Sequence, residues 1–130
     1  MIAPSGSKGN WGNRVFAPYL NVWANTAATM NRAFSSSGVK YFTLAFLVSD
    51  AVGNAAFDGS IPLTSGFLQN EIKALRSNGG DIIFSFGGAT GKEIAITNTN
   101  PTILQQRYQA VIDRYQLTWL DFVRLGLLIF

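Results

Sequence analysis

The chain has 130 residues, of which 48% are apolar and 13% charged, and it carries a formal net charge of +3 with no cysteine and no histidine. This length fits one domain and excludes a second full one, since soluble domains run to roughly 100–200 residues, and so few charged groups exclude disorder. The missing residue types exclude disulfides, the usual nitrogen and thiolate zinc sites, cysteine nucleophiles and histidine-based triads, leaving carboxylates, hydroxyls, amides and aromatics for chemistry.

Residues 1–13 begin MIAPSGSKGNWG, which contains no apolar core of a secretory signal and is expected to be a flexible lead-in. Arg14 to Leu20 (RVFAPYL) and Lys40 to Val48 (KYFTLAFLV) are rich in aromatic and aliphatic residues, and the second is almost continuously apolar, as in a parallel strand covered on both faces. Between them, Ala27, Met30, Ala33 and Phe34 recur at helical spacing from Asn25 to Ser37, and Gly38 supplies the stop. A loop from Ser49 to Thr64 leads to a second helix, SGFLQNEIKALRSNGG, whose Phe67, Leu68, Ile72 and Leu75 share a face and which ends at Gly79-Gly80. The strand DIIFSF follows from Asp81 to Phe86.

After a polar loop, Asn100-Pro101 opens a third helix with the stripe Ile103, Leu104, Tyr108, Val111, Ile112 and Tyr115. A fourth strand covers Trp119 to Val123. The closing LTWLDFVRLGLLIF is apolar but includes Asp121 and Arg124 and is shorter than the roughly 20 residues of a membrane helix, so no membrane is an expected partner. The alternation predicts an α/β fold of parallel βα repeats. Two architectures fit: a small open parallel sheet, which the length favours, and half of an eight-stranded TIM-type (β/α)8 barrel, since a full barrel takes about 250 residues.

The loop Gly87-Gly88-Ala89-Thr90-Gly91-Lys92-Glu93 follows a strand but does not cradle a phosphate. Its first required glycine falls on Phe86, and Glu93 stands where a hydroxyl would hold magnesium. The ten basic residues are spread singly from Lys8 to Arg124, so nucleic acid is not an expected partner either.

Of seven carboxylates, Glu71 and Asp113 fall on outer helix faces, and Asp81, opening a strand at its amino end, is expected to be solvated. Asp50, Asp58 and Glu93 lie in loops beyond strand ends. Asp121 is the unusual one, because an acid within an apolar strand is costly unless paired or placed in a polar cleft. Tyr19, Trp23, Phe46 and Trp119 lie at or near strand ends, where an aromatic face can stack on a sugar ring.

These residues fall into motifs that resemble the amino-terminal half of the family 18 glycoside hydrolases, the chitinase family. The resemblance rests on Phe16-Ala17-Pro18-Tyr19, Leu44-Ala45-Phe46, Ser85-Phe86-Gly87-Gly88 and Leu120-Asp121-Phe122 on four successive strands, and it covers Arg14 to Phe122. It implies a (β/α)8 barrel, cleavage of β-1,4 links between N-acetylglucosamine units with the substrate's acetamido oxygen as nucleophile, no cofactor, no metal, and an extracellular location. It further implies Asp121 as a catalytic-motif acid and Tyr19, Phe46, Ser85, Gly87 and Gly88, which lie within those motifs, as substrate-binding residues, while Trp23, Asp50 and Glu93 join them as expected substrate-binding residues from their positions at or beyond strand ends.

The family's strand-four pattern, Asp-x-x-Asp-x-Asp-x-Glu, aligns with Thr118, Asp121, Val123 and Leu125. Only Asp121 matches: Leu125 replaces the general acid and Val123 the aspartate that orients the acetamido group. The resemblance therefore implies a chitinase-like chain without catalysis, with chitin-type oligosaccharide as its ligand. A carbohydrate-binding or self-assembling half-barrel scaffold is the alternative. Residues 123–130 (VRLGLLIF) depart from the family, which suggests a truncated, frame-shifted or deliberately shortened reading of a longer gene. Open sheet edges and the apolar tail Leu127, Leu128, Ile129 and Phe130 suggest a homodimer or docking of a missing barrel half.

Overall fold

The computed structural model describes residues 11–12, 14–23, 25–88 and 91–123. In chain order they form β1 (Tyr19–Asn21), α1 (Thr26–Ser37), β2 (Tyr41–Ser49), β3 (Ala55–Phe57), β4 (Ile61–Pro62), α2 (Gln69–Ser77), β5 (Asp81–Gly87), α3 (Ile94–Thr97), α4 (Pro101–Tyr115) and β6 (Leu120–Val123). The tail Leu127 to Phe130, the Leu125 position and most of the expected lead-in lie outside the described residues.

Four strands run parallel in the order β1-β2-β5-β6, each beside the parallel strand that precedes it in the chain. Their register sets Leu20, Leu44, Phe84 and Leu120 level across the sheet. Leu44 and Phe84 are fully buried, and Leu20 and Leu120 pack against the same core as Met30 of α1, Ile72 and Leu75 of α2, and Val111 and Tyr115 of α4. Because side chains alternate along a strand, the next level, Asn21, Ala45, Ser85 and Asp121, faces the opposite way. Polar groups are thereby gathered on the face turned from the helices.

The helix ends follow from their residues. Gly38 takes a left-handed conformation (φ 72°) and returns its N–H to Phe34 O. Asn100 Oδ1 accepts from the N–H groups of Thr102 and Ile103 at 2.9 and 3.3 Å, and Pro101, with no N–H to lose, fills the first turn of α4.

Four expectations need correction. The first strand starts at Tyr19 rather than Arg14, since Pro18 has no N–H for the ladder; Thr43 instead donates its N–H to Pro18 O and its hydroxyl to Ala17 O, both at 2.9 Å. The segment from Ser49 to Thr64 is not all loop: β3 and β4 form a hairpin around Asp58-Gly59, and β3 pairs antiparallel with Leu47–Ser49 of β2. The second helix begins at Gln69, because Gly66 and Leu68 both adopt positive φ, although Leu68 still buries its side chain in the core.

Asp81 is buried, not solvated, at 1% exposure. Its Oδ1 accepts from Arg76 Nε and from the Ile82 N–H, both at 2.9 Å, and its Oδ2 from Trp11 Nε1 at 3.1 Å. The same arginine reaches Gln116 O at 3.1 Å. A cation and two N–H donors thus satisfy the buried carboxylate at the amino end of β5.

Candidate functional site

On the polar face, Asp121 of β6 lies directly opposite Ser85 of β5, whose fully buried hydroxyl donates to Asp121 Oδ2 at 2.8 Å. The Tyr19 hydroxyl donates to the same oxygen from β1, reaching past β2 and β5. This bond to Asp121, followed by burial and the negative charge of Asp121, raises the Tyr19 phenol above its ordinary pKa of 10.0, so it remains a proton donor through neutral pH. Among the described residues no group donates to the second oxygen, Oδ1. The acid inside the strand is thus held by two neutral hydroxyls on one side and left available on the other.

Gly87 and Gly88 have conformational and steric reasons to be glycine. Gly87 has φ 100°, and a Cβ there would lie 2.1 Å from Val123 O; the bare backbone lets β5 and β6 stay paired next to Asp121. Gly88 has φ 101° and donates its N–H to that carbonyl at 3.1 Å, and a Cβ on it would lie 2.8 Å from Cδ2 of Phe46. The half-buried Phe46 ring therefore lies against a glycine at the carboxyl ends of the strands. Trp23 is 56% exposed just beyond β1, with its N–H given to Thr26 Oγ1 at 2.6 Å.

Of the remaining candidates, Asp50 lies apart from Asp121, whereas Glu93 lies beside Gly87. Asp50 accepts from the backbone N–H groups of Val52 and Asn54 at 2.9 Å and lines a separate cleft against α4. Burial pushes its carboxyl up, but these bonds outweigh it and hold the group below the ordinary carboxylate range. Glu93 stands beside Gly87 and raises the Tyr108 phenol, after the larger effect of burial, while Tyr108 packs on Phe86 and Phe122 on the helix side.

Trp119 does not share a rim with Trp23 and Phe46. It precedes β6 and packs at a tilt against Trp11, at 5.9 Å between ring centroids, at the amino ends of the strands. Sequence reasoning missed Trp11, Arg76 and Thr43, whose partners lie far away in the chain. Among the described residues no cluster of three carboxylates is placed to hold a metal ion, and no helix is long and apolar enough to cross a membrane.

The chain belongs to a chitinase-like family, and its α/β fold matches part of a chitinase catalytic domain. The chain is 34% identical over 112 residues to Endochitinase 11 of Metarhizium anisopliae and 36% identical over 114 residues to a probable bifunctional chitinase/lysozyme of Escherichia coli K12, each match covering 86% of the chain. It superposes with a TM-score of 0.80, at 35% identity and over 89% of its length, on the catalytic domain of the hyperthermophilic chitinase from Pyrococcus furiosus. The same likeness holds for a catalytic-site mutant of that domain complexed with chito-oligosaccharides. The chain spans 21% and 13% of the two sequence relatives and 38% of the solved domain. No profile of a known protein family matches it.

Proposed function

We propose that the chain supplies the first half of a family 18-type (β/α)8 barrel and binds chitin-type oligosaccharides on its polar face without hydrolysing them. The convergence of Tyr19 and Ser85 on Asp121 Oδ2 carries this reading. Three residues from three separate motifs meet at one carboxylate, in a chain similar to a domain crystallised with chito-oligosaccharides. The strand order supports the barrel, because each parallel strand lies beside its predecessor, with no reversal of the kind that marks a doubly wound sheet.

Asp121 Oδ1 is the acceptor for a sugar hydroxyl or amide N–H, and exposed Trp23 and half-buried Phe46 offer stacking faces. Turnover requires a proton donor at the scissile oxygen, worth roughly 10²–10⁴-fold. The sequence has Leu125 at that motif position and Val123 at the position that orients the acetamido group. The second barrel half, or another copy of this chain, covers the free edges of β1 and β6, and an extracellular location follows from the same reading.

The test combines tryptophan fluorescence and product analysis in one titration of the purified chain with N-acetylglucosamine oligomers. Saturable quenching with intact oligomers is the expected result. Released products would overturn the loss of catalysis, and no response would overturn the binding face.

A further inference from the structure

A cleft of about 290 Å³ lies between the β3–β4 hairpin and α4, away from the Asp121 face. Arg107, Ala110 and Arg114 line one wall at i, i+3 and i+7, so they form a single stripe along the helix, with the small Ala110 leaving space between two cations. Pro62 and Leu63 of the hairpin give the opposite wall an apolar surface. Asp50 also lines the cleft, but its carboxylate is taken up by the N–H groups of its own loop.

Among the described residues Arg107 Nε is buried with no hydrogen-bond acceptor, and neither Arg107 nor Arg114 forms an ion pair. A guanidinium does not lose its proton when buried, so its unmet N–H calls for an acceptor. We propose that this cleft binds a small oxyanion, a carboxylate or a phosphate, with Arg107 as a forked donor and Arg114 as the second cation. The planar fork of arginine presents parallel N–H groups that match two oxygens of either anion. The net charge of +3 favours the approach of such a ligand.

The experiment follows the arginine Nε–H signals of the 130-residue chain by NMR during titration with inorganic phosphate and, in a separate arm, acetate, at ionic strength held constant with chloride. The Arg107 signal is expected to move saturably. Arg107→Lys, which keeps the charge but loses the fork, is expected to weaken binding by at least about tenfold, and Arg114→Gln severalfold, while Lys73→Gln on the exposed side of α2 leaves it unchanged. Tighter acetate binding assigns the site to carboxylates, and tighter phosphate binding assigns it to phosphates. An unsaturable shift shared by all arginines, or equal affinity in the Arg107→Lys chain, would overturn the proposal.

Discussion

Asp81 and Asp121 lie on neighbouring parallel strands, yet the chain treats the two carboxylates in opposite ways. Asp81, at the amino end of β5, is closed off by Arg76, Trp11 and the Ile82 N–H. Asp121, nearer the carboxyl ends, receives two hydroxyl groups from the described residues, both on one oxygen. A charged partner in a dry site fixes a structural ion pair, whereas neutral hydroxyls at a half-exposed carboxylate leave acceptor capacity for a ligand. The carboxyl ends of parallel strands are where loops assemble sites, and the contrast falls along that axis.

The largest effect is expected at the closed end. Asp81→Ala leaves Arg76 and the Trp11 indole N–H without their shared acceptor and should lower stability by about 3–5 kcal/mol, read from urea unfolding. Replacing the pair together, Asp81→Leu with Arg76→Met, should cost less than the single change, because no buried charge is then orphaned. Equal losses from the single and double replacements would remove the distinction between the two acids.

Next in size is Gly87→Ala, beside the open acid. Backbone strain at positive φ and the overlap with Val123 O together cost about 2–4 kcal/mol, and relief of that overlap moves β6 away from β5. The Ser85–Asp121 bond should loosen with it, so ligand quenching falls more than stability alone explains.

Much of this arrangement was legible from local signals. The apolar runs of β2 and β5, the Gly38 stop and the Asn100-Pro101 start each carry a local physical cause, and structure forms at each. Asp121 was conspicuous as an acid in an apolar strand, and it does have partners. The β3–β4 hairpin had its signal in Asp58-Gly59, a pair suited to positive φ between two short apolar stretches. The burial of Asp81 had no such signal, since its Trp11 partner lies 70 positions away, and no local pattern announces that Tyr19 will meet Asp121 across 102. Strand periodicity gives a residue's face, but only the assembled register gives its partner.

A smaller effect sharpens the contrast between the core face and the polar face. Burial raises the Tyr115 phenol to about 12, and its hydroxyl donates to Phe67 O at 2.8 Å while the ring packs edge-on against Phe84. A folded-state pKa above the unfolded value of 10 means that the native chain holds this proton longer. The associated stability is complete below pH 10 and is lost as pH rises toward 12, by about 1.4 kcal/mol per pH unit. Tyr115→Phe should cost about 1 kcal/mol at neutral pH and flatten this alkaline decline, as unfolding midpoints from pH 8 to 11.5 would reveal.

The smallest stability change belongs to the open acid and separates folding from binding most sharply. Tyr19 is 57% exposed, so Tyr19→Phe removes one hydrogen bond whose loss solvent largely makes good, for a cost of about 0.5 kcal/mol. The same change frees Asp121 to rotate about its remaining Ser85 bond, and its outward oxygen is no longer fixed for a ligand. Oligosaccharide affinity should therefore fall by about tenfold, equivalent to about 1.4 kcal/mol, while the urea midpoint barely moves. If affinity held while stability dropped by several kcal/mol, Asp121 would be a second structural carboxylate like Asp81, and the two ends of the sheet would differ only in their partners.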